Sequence, residues 1–191
     1  MSQLGAYRGV VRDAIAFLSS SDRPDPTQTF HRCNLPRVGL DDVPAAASGV
    51  LLSVALWLNA GDLVSSLTFI SAGTAAGTPT NQFAALYSNA ATPALLAQSA
   101  DGTNGAWAAD TAKTFTLASP VRIATSGIYW AALSVTATTV PTLVGSSAGA
   151  KPVLTGEGNL AQTSGSGLTA TAPATIATPA FKRQVPLVIA Q

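Results

Sequence analysis

The sequence predicts a mainly β protein: an antiparallel β-sandwich preceded by one α-helix and an extended arm. Three observations carry this expectation. From about residue 47 the apolar residues recur with period two, as Val50, Leu52, Val54, Leu56 and Leu58 do. Clusters of Gly, Pro, Asn, Asp and Ser separate short apolar runs, with no helical period between them. Before residue 47 the pattern differs, first helical and then proline-punctuated. The expected organisation is a helix over residues 1–21, an arm over 22–46 and a sandwich over 47–191.

The helix rests on Leu4, Tyr7, Val11, Ile15 and Leu18, whose spacings of three and four form one face. Ser19-Ser20-Ser21-Asp22, then Pro24 and Pro26, end it. A helix of about four turns is marginal alone in water, so its apolar stripe must dock, either on its own domain or on another subunit. In the arm, Pro24, Pro26, Pro36 and Pro44 bias their preceding residues to extended backbone. Phe30, Leu35, Val38 and Leu40 are its spaced apolar anchors. The residues expected to meet a neighbouring subunit are Leu4, Tyr7, Val11, Ile15, Leu18, Phe30 and Leu35.

The first sandwich strand is apolar on one face and mixed on the other, where Leu51, Ser53, Ala55 and Trp57 lie, as in a sheet packed partly on both sides. Asn59-Ala60-Gly61-Asp62 turns it. Further strands are expected over residues 63–71, 81–89, 94–99, 113–118, 121–124 and 127–136. Ser119-Pro120 and Ser126-Gly127 are among the breakers. Residues 142–180 are rich in Ser, Gly, Thr, Ala and Pro, a linker composition. Weak alternation over 168–178 and the apolar run 185–189 nevertheless predict an ordered surface crossing and a closing strand.

Composition excludes several function classes. The chain has 191 residues, 47% hydrophobic and 10% charged, with net charge +1; an average domain is about 25% charged. Of the nineteen charged side chains, ten lie in residues 1–42. No basic cluster suits a nucleic-acid polyanion, and no apolar run approaches the roughly 20 residues of a membrane helix. Arg8, Arg12 and Asp13 interrupt the window where a signal peptide would be apolar. One His and one Cys exclude an internal disulfide and leave too few ligands for a structural zinc site. No cofactor, metal site or catalytic residue is expected.

Four constellations carry residue types capable of chemistry. Gly145-Ser146-Ser147-Ala148-Gly149 spells G-x-S-x-G, but a nucleophile elbow needs a strand before and a helix after, and here the context is loop-like. His31 and Cys33 are two apart on an extended arm, where contact is feasible and packing is the ordinary role. Asp41-Asp42 is the one adjacent carboxylate pair, and Asp62, Asp101, Asp110 and Glu157 are scattered; such residues usually cap turns. Among the aromatic residues, Trp57 and Trp130 lie in apolar strands where packing is commoner, and Trp107, in Gly105-Ala106-Trp107-Ala108, is the candidate for an exposed, sugar-contacting ring.

A set of local patterns adds a resemblance. They are Leu56-Trp57-Leu58 with its Ala60-Gly61 turn, Thr78-Pro79-Thr80-Asn81 before residues 83–87, and Gln98-Ser99-Ala100-Asp101. Trp107-Ala108-Ala109-Asp110-Thr111-Ala112-Lys113, Ser126-Gly127-Ile128-Tyr129-Trp130 and Gly167-Leu168-Thr169 continue them. Together they span about three quarters of the chain, leaving out residues 1–46. This run resembles the jelly-roll-like β-sandwich of minor tail and surface proteins in phages infecting actinobacteria. The resemblance implies a non-enzymatic virion protein, assembled in the host cytoplasm, with other tail or capsid subunits and further copies of itself as partners. Capsid decoration and host-surface glycan binding are its alternatives; nucleic acid and membrane are not expected partners.

Overall fold

The computed structural model describes residues 31–191. Every regular element in this span is a strand: β1 (Arg32–Cys33), β2 (Asp41–Pro44), β3 (Leu51–Leu58), β4 (Leu63–Ile70), β5 (Gly77–Tyr87), β6 (Leu95–Gln98), β7 (Ala112–Arg122), β8 (Gly127–Thr139), β9 (Thr142–Ser146), β10 (Ala161–Ser164), β11 (Ala180–Phe181), β12 (Val185–Pro186) and β13 (Val188–Ala190). All pairings are antiparallel. The expected helix of residues 1–21 lies outside the described residues, as do positions 22–30 of the arm.

The strands form a six-stranded sheet (β11-β10-β3-β8-β5-β6), a four-stranded sheet (β1-β13-β4-β7) and a three-stranded sheet (β12-β9-β2). A bridge between Ser71 and Leu143 links the two smaller sheets, and one between Ser99 and Leu117 links β6 to β7 across the edge. Period-two alternation in β3 sends Leu52, Val54, Leu56 and Leu58 inward. There they share one core with Leu67 and Phe69 of β4, Phe115 and Leu117 of β7, Val188 of β13, Val43 of β2 and Leu143 of β9. Burying such side chains contributes about 1.5–3 kcal/mol each.

The described part of the arm does not lie free. Arg32 and Cys33 pair with Ala190 and Ile189, and residues 41–44 pair with β9. Leu35, expected to anchor a neighbour, packs against the chain's own core. Of the described arm, residues 32–33 and 41–44 are strand, while the segment between them bends, with Gly39 at φ +68°; the extended pieces offer the free N–H and C=O groups that a sheet edge recruits.

A second correction concerns Ser119-Pro120, expected to separate two strands. β7 runs through them, because residues 117–120 bulge opposite Ser65 while Val121 and Thr116 keep their pairs with Val64 and Ser66. Pro120 has no N–H to lose there, in a bulge of an edge strand.

The outer face of the six-stranded sheet is partly covered. Residues 165–179 leave β10, cross to the opposite edge and return to β11 as an ordered surface strap. Leu168 N–H donates to Gly49 O, Leu95 N–H to Ala174 O and Ile176 N–H to Pro93 O. Gln98 bonds Ala170 O and Ala172 N–H, and the Tyr87 hydroxyl donates to Pro173 O at 2.8 Å. Burial pushes the Tyr87 phenol far above its ordinary range. Beneath the strap, Leu51, Phe83, Ala85, Tyr87, Trp130, Ala132, Ala172 and Ile176 form a second core. Residues 185–189 supply the expected closing strands as β12 and the start of β13.

Candidate binding groove

The strap covers only part of the outer face. Beyond it a groove of about 680 Å³ opens between the β5–β6 turn, the loop leading into β10 and the end of the strap. That volume falls within the roughly 300–1,000 Å³ of small-molecule sites. Ile128 and Trp130, on the outward face of β8, form its base; Trp130 is 8% exposed and Ile128 is 47% exposed.

Each wall is fixed by local chemistry. Ser88 Oγ accepts Ala94 N–H at 3.0 Å and holds the turn that presents Asn89 and Thr92. Glu157 Oε2 accepts Val153 and Leu154 N–H at 3.0 and 3.1 Å, closing the opposite loop. Those two backbone donors, Leu154 first, hold the Glu157 carboxyl below its ordinary range. Gln162 comes from β10, with Oε1 accepting from Asn159 Nδ2 at 3.2 Å. On the third wall Thr178 has φ +44°, an unfavourable backbone for a β-branched residue. Glu157 is the one carboxylate among the described residues lining the groove, so no carboxylate pair is assembled there.

No protein-family model matches the chain, and no curated protein does.

The residues predicted from the sequence fall elsewhere. Leu4, Tyr7, Val11, Ile15, Leu18 and Phe30 lie outside the described residues. Trp107 is not the exposed ring it was expected to be: it is 2% exposed, meets Phe115 edge-on at 5.9 Å and donates its indole N–H to Thr111 O. Lys113 Nζ closes over it, 5.6 Å from the ring centre, while bonding Gln82 Oε1 at 2.8 Å. A loop rich in Gly and Ala looked open, but Lys113 and Phe115 of β7 bury its indole.

The G-x-S-x-G sequence has a packing explanation. A Cβ on Gly145 would stand 2.5 Å from Val185 O, and one on Gly149 would stand 2.6 Å from Arg183 O. Both glycines let β9 and the chain after it lie against residues 183–186. Ser147 Oγ donates to Asp41 Oδ2 at 2.8 Å, and no helix follows it among the described residues.

His31 Nε2 and Cys33 Sγ do meet, at 3.2 Å, with Cys33 3% exposed. Asp42 accepts Gly73 N–H, and Asp62 accepts Asn59 N–H and pairs with Arg32. Asp101 accepts from Asn81, Gln82 and Thr103. These carboxylates tie loops down rather than converge, and no group of three His, Cys, Asp or Glu is placed to hold a metal among the described residues.

Sequence reasoning missed Trp57 as an accessible ring. It is 56% exposed, sits directly opposite Ile128 across the β3–β8 pair and donates its indole N–H to Asn59 Oδ1 at 2.9 Å. The available signal was its phase: Trp57 falls on the outward, mixed face of β3.

Proposed function

We propose that the chain is a non-enzymatic structural protein of a bacteriophage virion, a minor tail or surface component. In this reading it is a jelly-roll-like β-sandwich that docks on neighbouring subunits, copies of itself included, through its N-terminal helix and arm. The observation that carries the reading is that the described residues build two apolar cores, one between the sheets and one beneath the strap. The sequence adds a further apolar stripe, Leu4, Tyr7, Val11, Ile15 and Leu18, which as a short helix needs a surface to dock on, and in this reading that surface is another subunit. A surface with so few charges favours association. The shared core between the six-stranded and four-stranded sheets supports the sandwich assignment.

The test is deletion of residues 1–21, with incorporation into particles as the readout and circular dichroism as the control for folding. A folded protein absent from particles is the expected result. Incorporation at the full-length level overturns the docking role.

A further inference from the structure

The groove has a chemistry that an assembly role leaves unused, and the inference drawn from it does not rest on that role. Its base is apolar, and the polar side chains of its walls are the amides of Asn89, Asn159 and Gln162, the hydroxyls of Thr92 and Thr178 and the Glu157 carboxylate. Gln162 is 3% exposed, and while its Oε1 accepts from Asn159, its Nε2 donates to no acceptor among the described residues. The buried unmatched side-chain atoms among the described residues are the Ser53, Ser134 and Ser164 hydroxyls; the Gln162 N–H instead reaches the solvent of the groove, where a ligand acceptor can replace water. The Asn89 amide likewise makes no side-chain hydrogen bond among the described residues, and it lines the opposite wall.

Beside the groove, Trp57 presents an indole whose N–H is already satisfied by Asn59, so what it offers a ligand is its π face. Cross-strand neighbours stand about 4.5–5.5 Å apart, which makes Trp57 and Ile128 one continuous apolar platform running into the groove.

We infer that this groove binds a neutral oligosaccharide, with the C–H face of one sugar ring stacked on Trp57 and the hydroxyls of the next bonded to Asn89 and Gln162. The electrostatics select against other ligands. Among the described residues no Lys or Arg lines the groove, and the Glu157 carboxylate repels phosphates and acidic sugars. An apolar helix would bury the amides of Asn89 and Gln162 without partners, a cost that a polyhydroxylated ligand avoids.

The full-length chain is to be titrated with neutral gluco-, galacto-, manno- and N-acetylglucosamine oligosaccharides, followed by tryptophan emission and calorimetry. Saturable binding to at least one series is expected. Trp57→Ala weakens it about tenfold or more, and Asn89→Ala weakens it about threefold or more. Both positions are on the surface, so unchanged thermal midpoints will show that the variants are folded. Three results overturn the inference: no saturation with any series up to about 10 mM, equal affinity in both variants and the parent, or loss of self-association in Trp57→Ala without any sugar binding by the parent. The last would make the platform a contact between copies.

Discussion

Replacing Ile176 with Ala tests whether the strap is an integral part of the fold. Ile176 is 2% exposed, packs with Leu51, Phe83, Tyr87 and Trp130, and donates its N–H to Pro93 O at 2.9 Å. The change removes three methylene-sized groups at about 0.8 kcal/mol each, or about 2.4 kcal/mol of transfer free energy. The cavity adds to this, and measured Ile→Ala losses run to roughly 2–5 kcal/mol. A strap with only its own backbone above it collapses partly onto the gap, which sets the expectation near 3 kcal/mol. For a chain of this size each kcal/mol lowers the melting temperature by about 2–4 °C, so a fall of about 6–12 °C follows. Urea unfolding gives the free energy and calorimetry the midpoint. A loss under about 1 kcal/mol refutes the reasoning. So does an unchanged midpoint with faster amide exchange at Leu95, Ala172 and Ile176, because the strap would then unfasten independently of the sheet.

Three more outcomes follow from the same contacts. Gly145→Ala puts a Cβ 2.5 Å from Val185 O and 2.7 Å from Pro186 Cα, and urea unfolding should register a loss of about 1–3 kcal/mol; a neutral result would mean that β9 and β12 separate at no cost. Arg32→Ala removes a two-point pair to Asp62, at 2.6 and 3.1 Å with side chains 14% and 12% exposed, and should cost about 3 kcal/mol, a loss that persists in 0.5 M salt; a loss that vanishes in salt contradicts the burial. Asp101 is pushed up by burial but pulled further down by hydrogen bonds from Thr103, Asn81 and Gln82, so its carboxyl titrates below the ordinary 3.8. A depressed carboxyl stabilises the fold above its unfolded pKa, and that contribution disappears as pH falls through the folded value. The thermal midpoint of Asp101→Asn should therefore fall less steeply than the parent's below about pH 4; parallel acid limbs would deny the carboxylate its role.

The fate of the tryptophans shows how far local pattern reaches. Sequence alone determined the β class, the inward face of β3 and closing strands within 185–189, because backbone alternation is a property of consecutive residues. It did not determine what lies across from each face. Trp107 is buried because β7 brings Lys113 and Phe115 against it, and Trp57 is exposed because the strap covers the Leu51 end of the outer face and stops short of Ile128. Leu35 packs inward because the strand beginning at Arg32 finds its partner at Ile189 and Ala190. Periodicity fixes the direction of a side chain within its own strand, whereas cover is supplied by segments distant in sequence. Tertiary pairing therefore decided which outward residues became core and which were left to line the groove.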